Sequence, residues 1–116
     1  MQAHIVHLDP QQAPSTLMLE CAFSLKHRLC GLLGKAPLLQ AQGLWIRPCN
    51  SVHSCFMGFA IDVLYLNRQQ QVVGIRSNLR PWRFSLCRKA YSVVELAAGE
   101  AQRLNIHLGD RLACDC

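Results

Sequence analysis

Nowhere does this sequence approach the roughly eighteen consecutive apolar residues that a membrane-spanning helix requires. Its richest run, Cys55 to Leu66, is broken by Asp62, so such a helix is excluded. Met1 to Pro10 hold no Lys or Arg and no apolar stretch of signal-peptide length, which gives no sign of export and leaves a soluble, cytoplasmic protein as the expectation. Charged residues are scarce at 16% against 51% apolar, a balance that excludes a disordered chain and calls for a well-buried interior. Aromatics reach only 7% and no RNA- or DNA-binding motif is present, which disfavours nucleic acid as a partner. Cys-x-x-Cys pairs are missing, so a zinc ribbon is not supported. Gly34-Lys35 lies too close behind Gly31, and has Ala36 where a phosphate-binding loop needs Ser or Thr, so nucleotide chemistry is not expected there. No cofactor is expected, and no internal repeat or low-complexity tract occurs.

What is present is the material of one small domain. A chain of 116 residues is long enough to bury a single core without disulfides or a structural metal. The seven cysteines are odd in number and irregularly spaced, and are expected to be mostly reduced, buried as small apolar side chains, with Cys114 and Cys116 the most prone to oxidation. Twelve Lys and Arg against seven Asp and Glu leave a formal charge of +5, which favours anionic partners by long-range attraction.

Read along its length, the chain is strand-rich. An N-terminal strand and loop extension over 1–15 ends in Asp9-Pro10-Gln11-Gln12-Ala13-Pro14, and a single domain then runs over 16–113 before a 114–116 tail. From Thr16 to Phe23 the residues Leu17, Leu19, Cys21 and Phe23 share one face, and Met18, Glu20 and Ala22 the other, the period of two of a strand. Ser24 can cap a short helix carrying Leu25, Leu29, Leu32 and Leu33, which Gly34 ends. Strands are expected at Leu44-Trp45-Ile46, at Val52 to Met57 and at Phe59 to Leu66, the last apolar on both faces and therefore central. Asn67-Arg68-Gln69-Gln70 has the length of a hairpin turn into a partner strand from Gln71 to Ser77. Asn78 to Lys89 reads as a long basic connection carrying Trp82 and Phe84 as anchors that plug the end of the core, unless Trp82 serves a ligand. A strand from Tyr91 to Leu96, a short helix within Ala97 to Leu104, a turn at His107-Leu108-Gly109-Asp110 and a last strand from Arg111 to Ala113 complete the chain, with Asp110 bonding locally in that turn.

Several segments carry a likeness to a known family. They are Arg28-Leu29-Cys30-Gly31-Leu32-Leu33, the run Val52-His53-Ser54-Cys55-Phe56-Met57 with Ile61-Asp62-Val63, the loop Leu79-Arg80-Pro81-Trp82-Arg83, and Val94-Glu95-Leu96-Ala97-Ala98-Gly99 with Leu108-Gly109-Asp110. In their order and spacing, Phe23 to Leu112 resembles the bacterial and archaeal family called domain of unknown function 192. The resemblance implies a compact, barrel-like, mainly antiparallel β (α+β) domain with one or two short helices. It implies no activity, since no catalytic residue, cofactor or substrate is established for the family. Cys55 stands where similar sequences commonly have an aromatic, so no shared role for a thiol follows.

Three groups of residues have chemistry to offer. Alternation would bring His53, Cys55 and Met57 to one face near Cys49, so that Cys49, His53 and Cys55 could hold a soft metal or simply pack in the core. Asp62 and Glu95 are carboxylates in otherwise apolar strands; with His53 they could act as acids and bases in a small hydrolase, or they could accept backbone N–H groups or pair with Arg47, Arg76 or Arg83. Arg76, Arg80, Arg83, Arg88 and Lys89 crowd one hairpin and its loop around Trp82, a set suited to planar anions. The sequence therefore points to a non-enzymatic accessory or binding module that offers Arg76, Arg80, Trp82, Arg83 and Arg88 to an anionic ligand or an acidic protein surface, with the hydrolase and the soft-metal site as alternatives.

Overall fold

The computed structural model describes residues 1–22, 38–54 and 58–114. The helix expected between Ser24 and Gly34, and the positions of Cys30, Cys55 and Met57, lie outside the described residues. Nine strands are described: β1 (Gln2–Val6), β2 (Ser15–Ala22), β3 (Gln42–Ile46), β4 (Ser51–His53), β5 (Ile61–Leu66), β6 (Val72–Leu79), β7 (Phe84–Leu86), β8 (Ser92–Ala97) and β9 (Arg111–Cys114), with one short helix, α1 (Glu100–Arg103). Seven strands form one sheet in the order β6-β5-β8-β3-β2-β1-β9, and β4 with β7 forms a separate two-stranded sheet. The domain is thus mainly β with a short helix, as expected.

The large sheet is open rather than closed. Its two outer strands meet at a single bridge, Gln71 to Arg111, reinforced by Val72 N–H donating to the Asp110 carbonyl and Leu112 N–H to that of Gln70. Pairing is antiparallel except between β2 and β3, which run parallel with Leu19 opposite Gly43 and Cys21 opposite Trp45. In the sheet β1 lies between β2 and β9.

Period-two alternation gives the sheet two apolar faces. Ile5, Leu17, Leu19, Trp45, Leu64, Leu66, Val94, Leu96 and Leu112 gather on one side with Ala101 and Ile106, while Leu44, Ile46, Ile61, Val63, Tyr65 and Val93 gather on the other with Val52 of β4. Burial on both faces is why β5, the apolar run expected to be central, is buried at all six positions. The β5–β6 hairpin forms as read, and its turn is locally specified, because Asn67 Oδ1 accepts the N–H groups of Gln69 and Gln71. Gly43 is required by close packing: a Cβ there would lie 2.8 Å from both the Leu19 and Leu96 side chains.

Asp62 governs the start of α1 from another strand. Its carboxylate accepts the N–H groups of Asn78, Gly99 and Ala101 at 2.9, 3.1 and 2.9 Å, so it joins β6 to the helix entrance. Glu100 then accepts Ala41 N–H at 2.7 Å and pairs with Arg103, whose guanidinium holds the Glu100 carboxyl below its ordinary range. Asp110 does more than the local turn bonding expected of it. Besides His107 N–H it accepts Leu8 N–H and reaches His7 Nδ1 at 2.9 Å, joining the two ends of the chain.

Candidate functional site

The small β4–β7 sheet and the loop before it carry most of the predicted binding residues. Val52 pairs with Ser85 on the inner side, where Val52 is buried and Ser85 receives a hydrogen bond from the Tyr65 hydroxyl at 2.6 Å. Burial pushes the Tyr65 phenol above its ordinary range. The alternate positions turn outwards: His53 opposes Phe84, Ser51 opposes Leu86, and Phe84 and Leu86 are 65% and 49% exposed. Trp82 is 58% exposed, so neither it nor Phe84 plugs the core, contrary to one of the roles the sequence allowed them.

The loop between β6 and β7 is tied down from beneath by Ser54. This fully buried residue donates its hydroxyl to the carbonyls of Arg80 and Arg83 and accepts Arg83 N–H at 2.9 Å. Its backbone continues the same tie, with Ser54 N–H on the Arg83 carbonyl at 2.9 Å and Trp82 N–H on the Ser54 carbonyl at 3.1 Å. Held in this way, Trp82 adopts φ 63, a left-handed conformation that costs a bulky L-residue roughly 1–2 kcal/mol. The side chains of Arg80 and Arg83 are exposed on either side of it, Arg76 is exposed on β6, and Arg88 and Lys89 are exposed just past β7. From Val63 to Val94 the chain contains six Lys and Arg and no Asp or Glu, so no acidic residue of this segment offsets that charge. Sequence reading passed over Ser54 because nothing in a Val-His-Ser run marks the hydroxyl that organises a loop some thirty residues on.

The two predicted carboxylates do not converge. Glu95 stands opposite Val63 while Asp62 stands opposite Leu96, so they project from opposite faces of the sheet. Asp62 is satisfied by backbone N–H groups as described above. Glu95 is buried, its Oε2 has no hydrogen-bond partner among the described residues, and burial pushes its carboxyl up to about 7. His53 belongs with Phe84 on the outer side of β4–β7 and meets neither acid. Cys49 donates its thiol to the Ser51 carbonyl, and among the described residues no three His, Cys, Asp or Glu side chains gather to hold a metal. Cys21 and Cys87 are free thiols.

Known proteins share this architecture. The family profile described as "Uncharacterized ACR, COG1430", domain of unknown function 192, matches residues 6–114. A protein of Pyrococcus furiosus named UPF0127 protein PF1050 is 38% identical over 89 residues, covering 73% of this chain and 76% of its own. The crystal structure of a protein of unknown function from Novosphingobium aromaticivorans superimposes with a TM-score of 0.85 at 18% identity, over 97% of this chain and 84% of that one. A Sinorhizobium meliloti protein, described as a candidate transcription regulator, does so with a TM-score of 0.86 at 20% identity, over 96% of this chain and 90% of that one. At such identities the two structures speak to the fold alone. With its profile matched over nearly the whole described sheet, the chain belongs to the domain of unknown function 192 family.

Proposed function

We propose that the protein is a binding module whose β6–β7 loop and outer β4–β7 face dock an acidic segment of another protein. The observation that carries this reading is the tethered loop: Ser54 holds Trp82 in a left-handed conformation with its side chain 58% exposed, between two exposed arginines. Backbone strain supporting an outward-facing aromatic is a feature that core packing alone does not call for. Trp and Arg are also the side chains that contribute most per residue to protein interfaces.

A polypeptide fits the surface better than a small anion does. Arg80 and Arg83 precede β7 and Arg88 and Lys89 follow it, with Phe84 and Leu86 facing outwards between them. At a strand rise of about 3.3 Å per residue, the two cationic ends stand on the order of 10 Å or more apart, too far for one carboxylate or phosphate to bridge. A segment with acidic residues flanking apolar ones would satisfy both ends and cover the middle.

The test is fluorescence polarisation with a labelled peptide of alternating Glu and Leu blocks. Binding is expected to weaken about tenfold in Trp82→Ala and in the Arg80→Ala/Arg83→Ala double variant, and to fall as salt rises from low to physiological strength. Binding indifferent to those changes, or a preference for duplex DNA over the peptide, refutes the reading.

A further inference from the structure

We infer that Ser15, His7 and Asp110 form an activated-serine relay at the end of the sheet where β1, β2 and β9 meet, able to cleave esters with apolar acyl groups. This site is independent of the basic loop. Ile5 of β1 stands directly opposite Ser15 of β2, and His7 follows Ile5 at the period of two, so His7 and Ser15 share one face at the rim of the first core. His7 Nε2 lies 2.9 Å from Ser15 Oγ, and His7 Nδ1 lies 2.9 Å from Asp110 Oδ2. The side chains of His7 and Asp110 are only 1% and 2% exposed, whereas Ser15 is partly exposed. Base and orienting acid are thus sheltered, and the hydroxyl is at the surface, the disposition that serine nucleophiles require.

Protonation states follow from the bonding. Burial alone would raise the Asp110 carboxyl, but the N–H groups of Leu8 and His107 and the His7 ring outweigh it and hold it below its ordinary range. An ionised Asp110 accepts at both oxygens, so His7 Nδ1 must donate, and in the neutral ring Nε2 keeps a lone pair aimed at Ser15. Ser15 Oγ also lies 3.3 Å from the Leu104 carbonyl, which gives its hydrogen a second acceptor in the resting state. Two large apolar side chains flank the relay in sequence, Leu8 beside His7 and Leu108 before Asp110, at 72% and 59% exposure. They offer an apolar acyl chain a surface to lie on.

In the reaction, the Ser15 hydroxyl proton passes to His7 Nε2 as Oγ bonds to the ester carbonyl carbon. The carbon–oxygen bond to the alcohol then breaks, and the leaving alkoxide takes that proton from Nε2. Water, deprotonated by the same nitrogen, hydrolyses the acyl-serine, releasing the carboxylic acid and restoring Ser15. Asp110 touches no reacting atom and acts as a positioning residue.

The full chain incubated with a decyl-bearing alkyl fluorophosphonate, analysed by intact mass and peptide mapping, tests this. Expected are one phosphonyl adduct, on Ser15, with fluoride lost, and hydrolysis of p-nitrophenyl butyrate above buffer. Both should vanish in Ser15→Ala, with its fold checked by circular dichroism, and phosphonylation should slow about 100-fold in His7→Gln. Should His7→Gln fail to fold, Ser15→Ala alone decides. No adduct on Ser15, equal labelling in a folded His7→Gln, or ester hydrolysis undiminished in Ser15→Ala overturns the inference.

Discussion

Glu95 makes the stability of this protein fall as pH rises towards neutrality. Its carboxyl is buried between Leu44 and Val63 of the neighbouring strands, has an unpartnered Oε2 among the described residues, and is raised by burial from 4.5 to about 7. The folded state therefore holds a proton that the unfolded chain has already released. Below pH 4.5 both states are protonated and the contribution is complete; between the two pKa values unfolding releases one proton, so stability declines by about 1.4 kcal/mol per pH unit. Above about 7 the loss levels off, at about 3 kcal/mol in total for this group. Urea unfolding at half-unit intervals from pH 4.5 to 8.5 measures the decline directly. Glu95→Gln, which cannot ionise, should flatten it while matching the wild type at the acidic end. If wild type and Glu95→Gln fall in parallel, the carboxyl is not neutral in the folded state and the reasoning fails.

Two further substitutions test the framework. Asp62→Ala removes the acceptor of three backbone N–H groups, Asn78, Gly99 and Ala101, and should cost about 3 kcal/mol or more in denaturant unfolding, with amide exchange rising first at the entrance to α1. Gly43→Ala would put a Cβ 2.9 Å from the Glu95 carbonyl oxygen as well as against Leu19 and Leu96, and a loss of about 1–3 kcal/mol is expected by thermal unfolding.

What could be read from the sequence was what neighbours in sequence determine. The β5–β6 hairpin was legible because Asn67 specifies its own turn and because Ile61 to Leu66 is apolar on both faces. Alternation in β2 was equally direct, with Leu17 and Leu19 buried and Met18 exposed. The β7 strand was not, because it is three residues long and turns its apolar side chains, Phe84 and Leu86, to solvent, which reverses the usual signal. Nor could local pattern show that β2 pairs in parallel with β3 or that the sheet stays open, since both depend on contacts between distant segments. At the sites, the arginine cluster was plain but its anchor on Ser54 was not. Asp62 stood out as a buried acid, yet its partners are backbone groups that every sequence has. The His7 contact to Asp110 spans 103 positions, and no spacing rule reaches so far.

The pairing of β1 with β9 sets the order in which the molecule can be made. Ala3 to Val6 face Arg111 to Cys114, so β1 leaves the ribosome about a hundred residues ahead of the strand it pairs with. Until Arg111 to Cys114 emerge, one edge of β1 lacks its partner and Asp110 has not arrived to bind His7 and Leu8. Synthesis at about 5–20 residues per second leaves that edge open for several seconds in every nascent chain. The unfinished sheet is the stage at which a chaperone, or another nascent copy, would meet this protein.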